Sequence, residues 1–356
     1  MKNLLLASTA LVAFAGAAAA EVAISGSGRM GIVYDNSILN DNLIRNPNGG
    51  ITRSADSGFL FSSRVRVAFT LTQETDAGVT FGASIRADNA ADGNKGKAGS
   101  VFMSGAFGKI SMGDVDGAAE SAVGNLSGVG YTGLNDLNEA IYLQQGNSDL
   151  DTNQKYSEFA LPAALYEYST GPASFYVSLG NPAGLEIPTT IFDTTNVKVT
   201  NAVIDSAYGL GAKYSVDNYS VGFGYEGVNF SGISTDQTTK VESEFSNTID
   251  NWILGGSATF GGFTLKAQYG EGSGKGIDLT QYGFSGDYTF DAWTFTAFWV
   301  SKELKTITDT TAAQTQPFGF GVTYDLGGGA SVEFGAVDPD RLGEDYRADL
   351  GVNFSF

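Results

Sequence analysis

Cysteine and histidine are both absent from this 356-residue chain, and proline (7), methionine (4) and tryptophan (3) are scarce. Without cysteine there is neither a disulfide framework nor a thiolate site. Without histidine the commonest general base and metal ligand is missing, which removes Ser-His and Cys-His hydrolytic pairs. Positive charge is also short: 20 Lys and Arg stand against 39 Asp and Glu, a net −19, and a pI near 4.2 argues against nucleic acid as a partner. Charged residues make up only 17% of the chain, whereas aromatics reach 12% and glycines number 48. That balance is too aromatic for a disordered acidic chain and too poor in helix formers for a bundle.

One long apolar run exists, and it is at the start. MKNLLLASTALVAFAGAAAA has a basic residue, an apolar stretch and small residues Ala18, Ala19 and Ala20 fitting a cleavage site, so residues 1–20 read as an export signal that is removed. Residues 21–356 contain no Pro/Ser-rich linker or composition break and read as one domain.

What is present in abundance is alternation. Val22, Ile24, Met30, Ile32 and Tyr34 share one parity, and Ala23, Ser25, Ser27 and Arg29 the other. The same split places Phe59, Phe61, Val65, Val67 and Phe69 against Ser62, Arg64, Arg66 and Thr70. It recurs with Phe81, Ala83 and Ile85 against Ser84 and Arg86, and in Phe263, Leu265, Ala267 and Tyr269 against Thr264, Lys266 and Gln268. Tight-turn signals near Asp76, Gly108, Gly171, Asp217, Gly261, Asp291 and Gly328 separate these runs from polar connections near 35–57, 89–99, 114–160, 181–205, 227–248, 271–277, 303–315 and 338–345. Seven short and eight long connections give sixteen strands. An even count with short turns at one end and long loops at the other is the pattern of an all-β, transmembrane antiparallel 16-stranded β-barrel. A soluble sandwich would not put aromatics at strand ends, as Phe260 and Phe263, Phe290 and Trp293, and Tyr214 and Tyr219 do here.

The segment FSSRVRVAF then poses an energetic question. Arg64 and Arg66 are about 7 Å apart on one face. Their repulsion is about 0.6 kcal/mol in water but about 2.4 kcal/mol at an effective dielectric of 20. On a lipid-facing surface each would cost about 2–4 kcal/mol near the midplane. Only a wet interior makes the pair cheap, and a barrel of this size holds water. Arg29, Arg64, Arg66 and Arg86 are therefore expected to form a basic wall. The longest connection carries Asp114, Asp116, Glu120, Asp136, Glu139, Asp149 and Asp151 without a Lys or Arg until Lys155. Folded inward, its acids would face that wall and set a transverse field at a constriction. Lumen-parity glycines such as Gly82, Gly209, Gly211, Gly222, Gly224, Gly319 and Gly321 have two readings: bulges and curvature or close contact between elements, and space kept for water.

Some signals fail. YGEGSGKG lacks the first glycine and the final Ser/Thr of a phosphate loop, and Asp149, Asp151, Asn153 begins like a calcium hand but has Gln154 for the required glycine.

The stretches EVAISGSGRMGIVYD, VFMSGAFGKISMGDVDGAAE, GVGYTGLND, YDLGGGASVEFG and DLGVNFSF resemble the general diffusion porins of Gram-negative alphaproteobacteria, of the Rhodobacter type. The resemblance implies an outer-membrane homotrimer with the third loop folded into each lumen against an arginine-rich wall. It also implies calcium among the constriction acids, with Asp149 and Asp151 as candidate ligands, although Asn125 and Gly133 stand where acids would be expected. The function expected is passive diffusion of ions and small hydrophilic solutes. A substrate-specific channel, for instance for sugars, is the alternative, and a barrel enzyme or structural barrel a more distant one.

Overall fold

Strict alternation of apolar and polar residues produces strands with one apolar and one polar face, and in this chain nearly everything described is strand. The computed structural model describes residues 21–35, 44–45, 51–52, 58–88, 98–144, 162–180, 197–274, 276–306, 313–340 and 346–356. Sixteen strand positions close on themselves: β1 (Glu21–Asp35), β2 (Phe59–Glu74), β3 (Thr80–Asp88), β4 (Ala98–Gly105), β5 (Gly108–Gly113), β6 (Pro162–Thr170), β7 (Ala173–Gly180) and β8 (Val197–Val216) form one half. The other half is β9 (Tyr219–Asp236), β10 (Glu242–Phe260), β11 (Phe263–Gly274), β12 (Ile277–Phe290), β13 (Trp293–Thr306), β14 (Phe318–Gly327), β15 (Ala330–Asp338) and β16 (Arg347–Ser355). A short piece, Ala313–Thr315, pairs with β13 beyond β14, and Ile44–Arg45 pairs separately with Ile51–Thr52.

Every neighbour pair is antiparallel, and β1 pairs with both β2 and β16, which leaves no edge. Closure lets the backbone polar groups of the wall pair within the sheet, the condition for standing in hydrocarbon. The chain end joins the closure: Phe356 N–H donates to Gly26 O at 3.0 Å, and Gly26 N–H to Phe356 O at 2.7 Å.

The apolar parity faces outward and is exposed, including Ile24, Met30, Phe61, Leu210, Phe223, Leu254, Leu265 and Phe284. Aromatics edge this band. At one end Phe263 stacks on Tyr288 at 4.4 Å and Trp293 meets Tyr324 at 4.5 Å; at the other Trp252 meets Tyr269 and Tyr282 meets Trp299, each at 5.6 Å.

Several expected loops are shorter than the sequence reading gave. Residues 227–248 were expected as one polar connection, yet β9 runs to Asp236 and β10 begins at Glu242; β8 likewise begins at Val197, inside the expected 181–205 loop. At 18 to 20 residues these strands far exceed the 9–11 or so that span a bilayer. Above the band the polarity inverts: Val199, Ile204, Val228, Phe230 and Ile249 pack together in the interior, while Asn229 and Ser206 bond side chain to side chain at 2.8 Å. An outward polar parity reads as loop only if the outside is assumed to be lipid.

Candidate functional site: the inner loop and the arginine face

After β5 the chain runs across interior-facing residues of the wall. Helix α1 (Ala118–Val123) buries Ala118, Ala119 and Ala122 completely or nearly so, and it can lie that close because the wall beneath has no side chains. A Cβ added at Gly211 would sit 2.2 Å from Ala118 O, one at Gly222 2.2 Å from Ala122 O, and one at Gly224 2.5 Å from Ala119 Cβ. The path continues with Leu126 over Gly283, Val129 over Gly321, Gly130 against Gly335, and Tyr131 over Gly31 and Gly351. Of the two readings of these glycines, close contact therefore holds. Gly82 and Gly319 serve differently, giving room to the rings of Phe102 and Phe298.

Wall side chains hold the loop by its backbone. Ser178 Oγ accepts from Ala118 N–H (2.9 Å) and donates to Gln144 Oε1 (2.6 Å). Ser285 Oγ accepts from Ser127 N–H (2.9 Å), and Ser127 Oγ donates to Asp287 (2.6 Å). Gln281 brackets the Ile141 peptide, accepting from its N–H (2.7 Å) and donating to its carbonyl (2.9 Å). Glu226 accepts from Leu143 N–H (2.8 Å) and Gln144 N–H (3.0 Å). At the far side Asp349 accepts from Thr132 N–H (2.8 Å) and its hydroxyl (2.5 Å). None of these fasteners stood out in the sequence. Parity places them inward, but nothing local says that their partners lie 34 to 217 residues away.

The basic residues fall on one patch. Arg29 and Arg64 are cross-strand partners, Arg66 is one pleat further on β2, and Arg86 of β3 lies opposite Ala68. Arg29 Nη1 donates to the carbonyls of Tyr131 and Thr132, both at 3.2 Å. Facing them, Gly133, Leu134, Asn135 and Asp136 adopt four successive left-handed conformations (φ 83°, 47°, 67° and 50°), closed by Asp136 N–H to Gly133 O at 3.0 Å. Left-handed backbone costs about 1–2 kcal/mol per non-glycine residue. It persists where packing over-determines it. Here Leu134 is buried with Leu126, Val129, Leu137, Phe298, Val300 and Val337.

The acids divide into two groups. Asp136 is pushed up by burial, against the pull of Arg29, Arg64 and Arg66, which all act on it. Glu120 is pushed up to about 8, first by removal from water and then by the charges of Asp116 and Glu139; its Oε1 accepts from Asn125 Nδ2 at 3.2 Å. Asp114 sits at the loop entrance, its N–H bonded to Gly99 O at 3.0 Å. Asp149 and Asp151 lie outside the described residues. Among the described residues no three acids converge to hold a metal ion.

Solved porin structures share the closed antiparallel barrel. The family model described as Gram-negative porin matches residues 7–340. A porin of Rhodobacter capsulatus is 33% identical over 356 aligned residues, covering 94% of this chain and all of that one, and a porin of Fuscovulum blasticum is 27% identical over 76% of this chain and 90% of its own. Among solved structures, a porin refined at 1.8 Å superposes with a TM-score of 0.67 at 31% identity over 94% of this chain and all of its own. A triple mutant of Rhodopseudomonas blastica porin gives 0.63 at 22% identity over the same shares, a likeness of fold. The chain belongs to the Gram-negative porin family.

Proposed function

We propose that this outer-membrane β-barrel passes ions and small hydrophilic solutes down their gradients, with the inner loop limiting size and the facing charges setting selectivity. The observation that carries it is the juxtaposition of Asp136 with Arg29, Arg64 and Arg66 inside a wall whose outer face is apolar. Opposed fixed charges on a narrow aqueous path act on every ion that passes. Arg29, Arg64, Arg66 and Arg86 supply the basic side; Asp114, Asp116, Glu120, Asp136 and Glu139 supply the acidic side. Passage is passive, without catalysis or a required cofactor. Of the inward aromatics Tyr176 of β7 and Phe298 of β13, Phe298 is buried with Leu126, Val129 and Leu134 and offers no face to a sugar. In this reading residues 1–20 are removed on export, three barrels assemble with one pore each, and lipid and lipopolysaccharide meet the apolar band.

Reversal potentials of purified channels in a planar bilayer across a KCl gradient test the reading. Stepwise conductance arriving in threes, with mild cation preference from the net acidic chain, is expected. Changing Arg64 and Arg66 together to Gln should raise cation preference. Absence of conductance would overturn the pore, and unchanged selectivity in the double variant would remove the arginine face from it.

A further inference from the structure

The loop's outgoing end is held in a way that differs from the rest of its path. Besides Ser178 on the Gln144 side chain, the backbone of Ile141, Leu143 and Gln144 is engaged by three wall residues from three strands: Glu226 of β9, Asn251 of β10 and Gln281 of β12. Glu226 is fully buried, and each of its oxygens takes one loop amide; Asn251 Nδ2 reaches both Glu226 Oε2 (3.2 Å) and the Ile141 carbonyl (3.1 Å). A buried carboxylate is costly unless donors converge on it. Here they are two backbone amides from the loop and one side-chain amide from the wall. A carboxylate is also the right group chemically: it only accepts, whereas an amide in its place would turn N–H against one of the two loop N–H groups.

We propose that Glu226, supported by Asn251, is the positioning residue that latches the outgoing end of the inner loop to the wall. The acidic stretch Asp136–Glu139 is suspended between this latch and the Asp349–Thr132 contact. Releasing the latch leaves the outgoing end of that stretch held only by Gln281 on the Ile141 peptide and by Asn125 on the Ala140 N–H. The consequence for the pore rests on the reading above, that the loop limits it; the latch itself does not.

The absence of cysteine makes a direct test available. Ala140, 4% exposed and packed with Ala119, Tyr142 and Ile253, is replaced by cysteine as the single thiol of the chain, and its labelling by a water-soluble maleimide is followed in the folded channel. Opening of a protected segment is expected to raise the rate by about tenfold or more in Glu226→Gln, which loses one acceptor, and further in Glu226→Ala, which loses both. Asn251→Ala, which leaves the acid in place, falls between the parent and Glu226→Ala; it carries the test if the alanine variant at 226 does not fold. Single-channel records of the same variants should show added conductance levels. Unchanged labelling in folded Glu226→Gln and Asn251→Ala would overturn the latch. Faster labelling with steady conductance would support the latch and remove the loop as the element that limits the pore.

Discussion

Arg29 of β1 and Arg64 of β2 are register partners, one directly across from the other on the interior face. Like charges so placed cost about 0.2–1 kcal/mol. Arg29, however, also donates to the carbonyls of Tyr131 and Thr132, and charge-assisted bonds of that kind contribute about 1.5–3 kcal/mol each. The second effect is the larger. Arg29→Met should therefore destabilise the barrel by about 1–3 kcal/mol net, read as a lower urea midpoint in lipid. A midpoint at or above the parent's would show that the like-charge contact dominates.

Glu120 ties pH to charge in the loop. Its carboxyl is pushed up to about 8, so the fold favours the neutral form. The stability it contributes is complete below the ordinary glutamate range, near about 4.3. It is lost as pH rises through about 8. Between about pH 7 and about pH 9 the loop gains negative charge, and cation preference should grow while the urea midpoint falls. In Glu120→Gln both trends should weaken; unchanged trends in this variant would assign the pH step to another group.

Gly224 tests the contact that seats α1. A side chain there meets Ala119 Cβ at 2.5 Å and its Cα at 2.6 Å, and backbone cannot give way cheaply. Gly224→Val should cost about 1–3 kcal/mol or push the helix off the wall, seen as altered conductance and open-channel noise. Gly286, whose added Cβ meets only Leu265 Cδ2 at 3.2 Å, provides the control: Gly286→Ala should leave the channel unchanged. Equal effects at the two sites would refute the contact.

Leu265 and Lys266 are neighbours in sequence on opposite faces of β11. Leu265 is 47% exposed in the apolar band, while Lys266 Nζ reaches Asn125 O at 3.4 Å inside. Leu265→Arg should cost about 2–4 kcal/mol if it lies near the bilayer midplane. Lys266→Arg should be tolerated. Urea titrations of both in the same lipid measure the difference, and equal midpoints would contradict the assignment of faces.

Alternation alone determined which residues of each strand share a face, because a strand's side-chain period of two is fixed by its backbone. That was enough for the outward Phe61 and Leu265 and the inward Arg29 and Arg64; the turn signals added the count of sixteen strands, and the residue content of the longest connection its acidity. It could not bound β8, β9 and β10, since polar residues above the membrane alternate against an apolar interior there. Nor could it separate contact from space at Gly211 and Gly224: a glycine's empty side carries no mark of what fills it. Only the closed barrel brought Ala119 onto Gly224, the Leu143 amide onto Glu226 and Thr132 onto Asp349, because those contacts join segments far apart in the chain. Charge and periodicity are properties of a segment and can be read from it; the partner of a buried carboxylate is a property of closure, and appears only when the last strand has met the first.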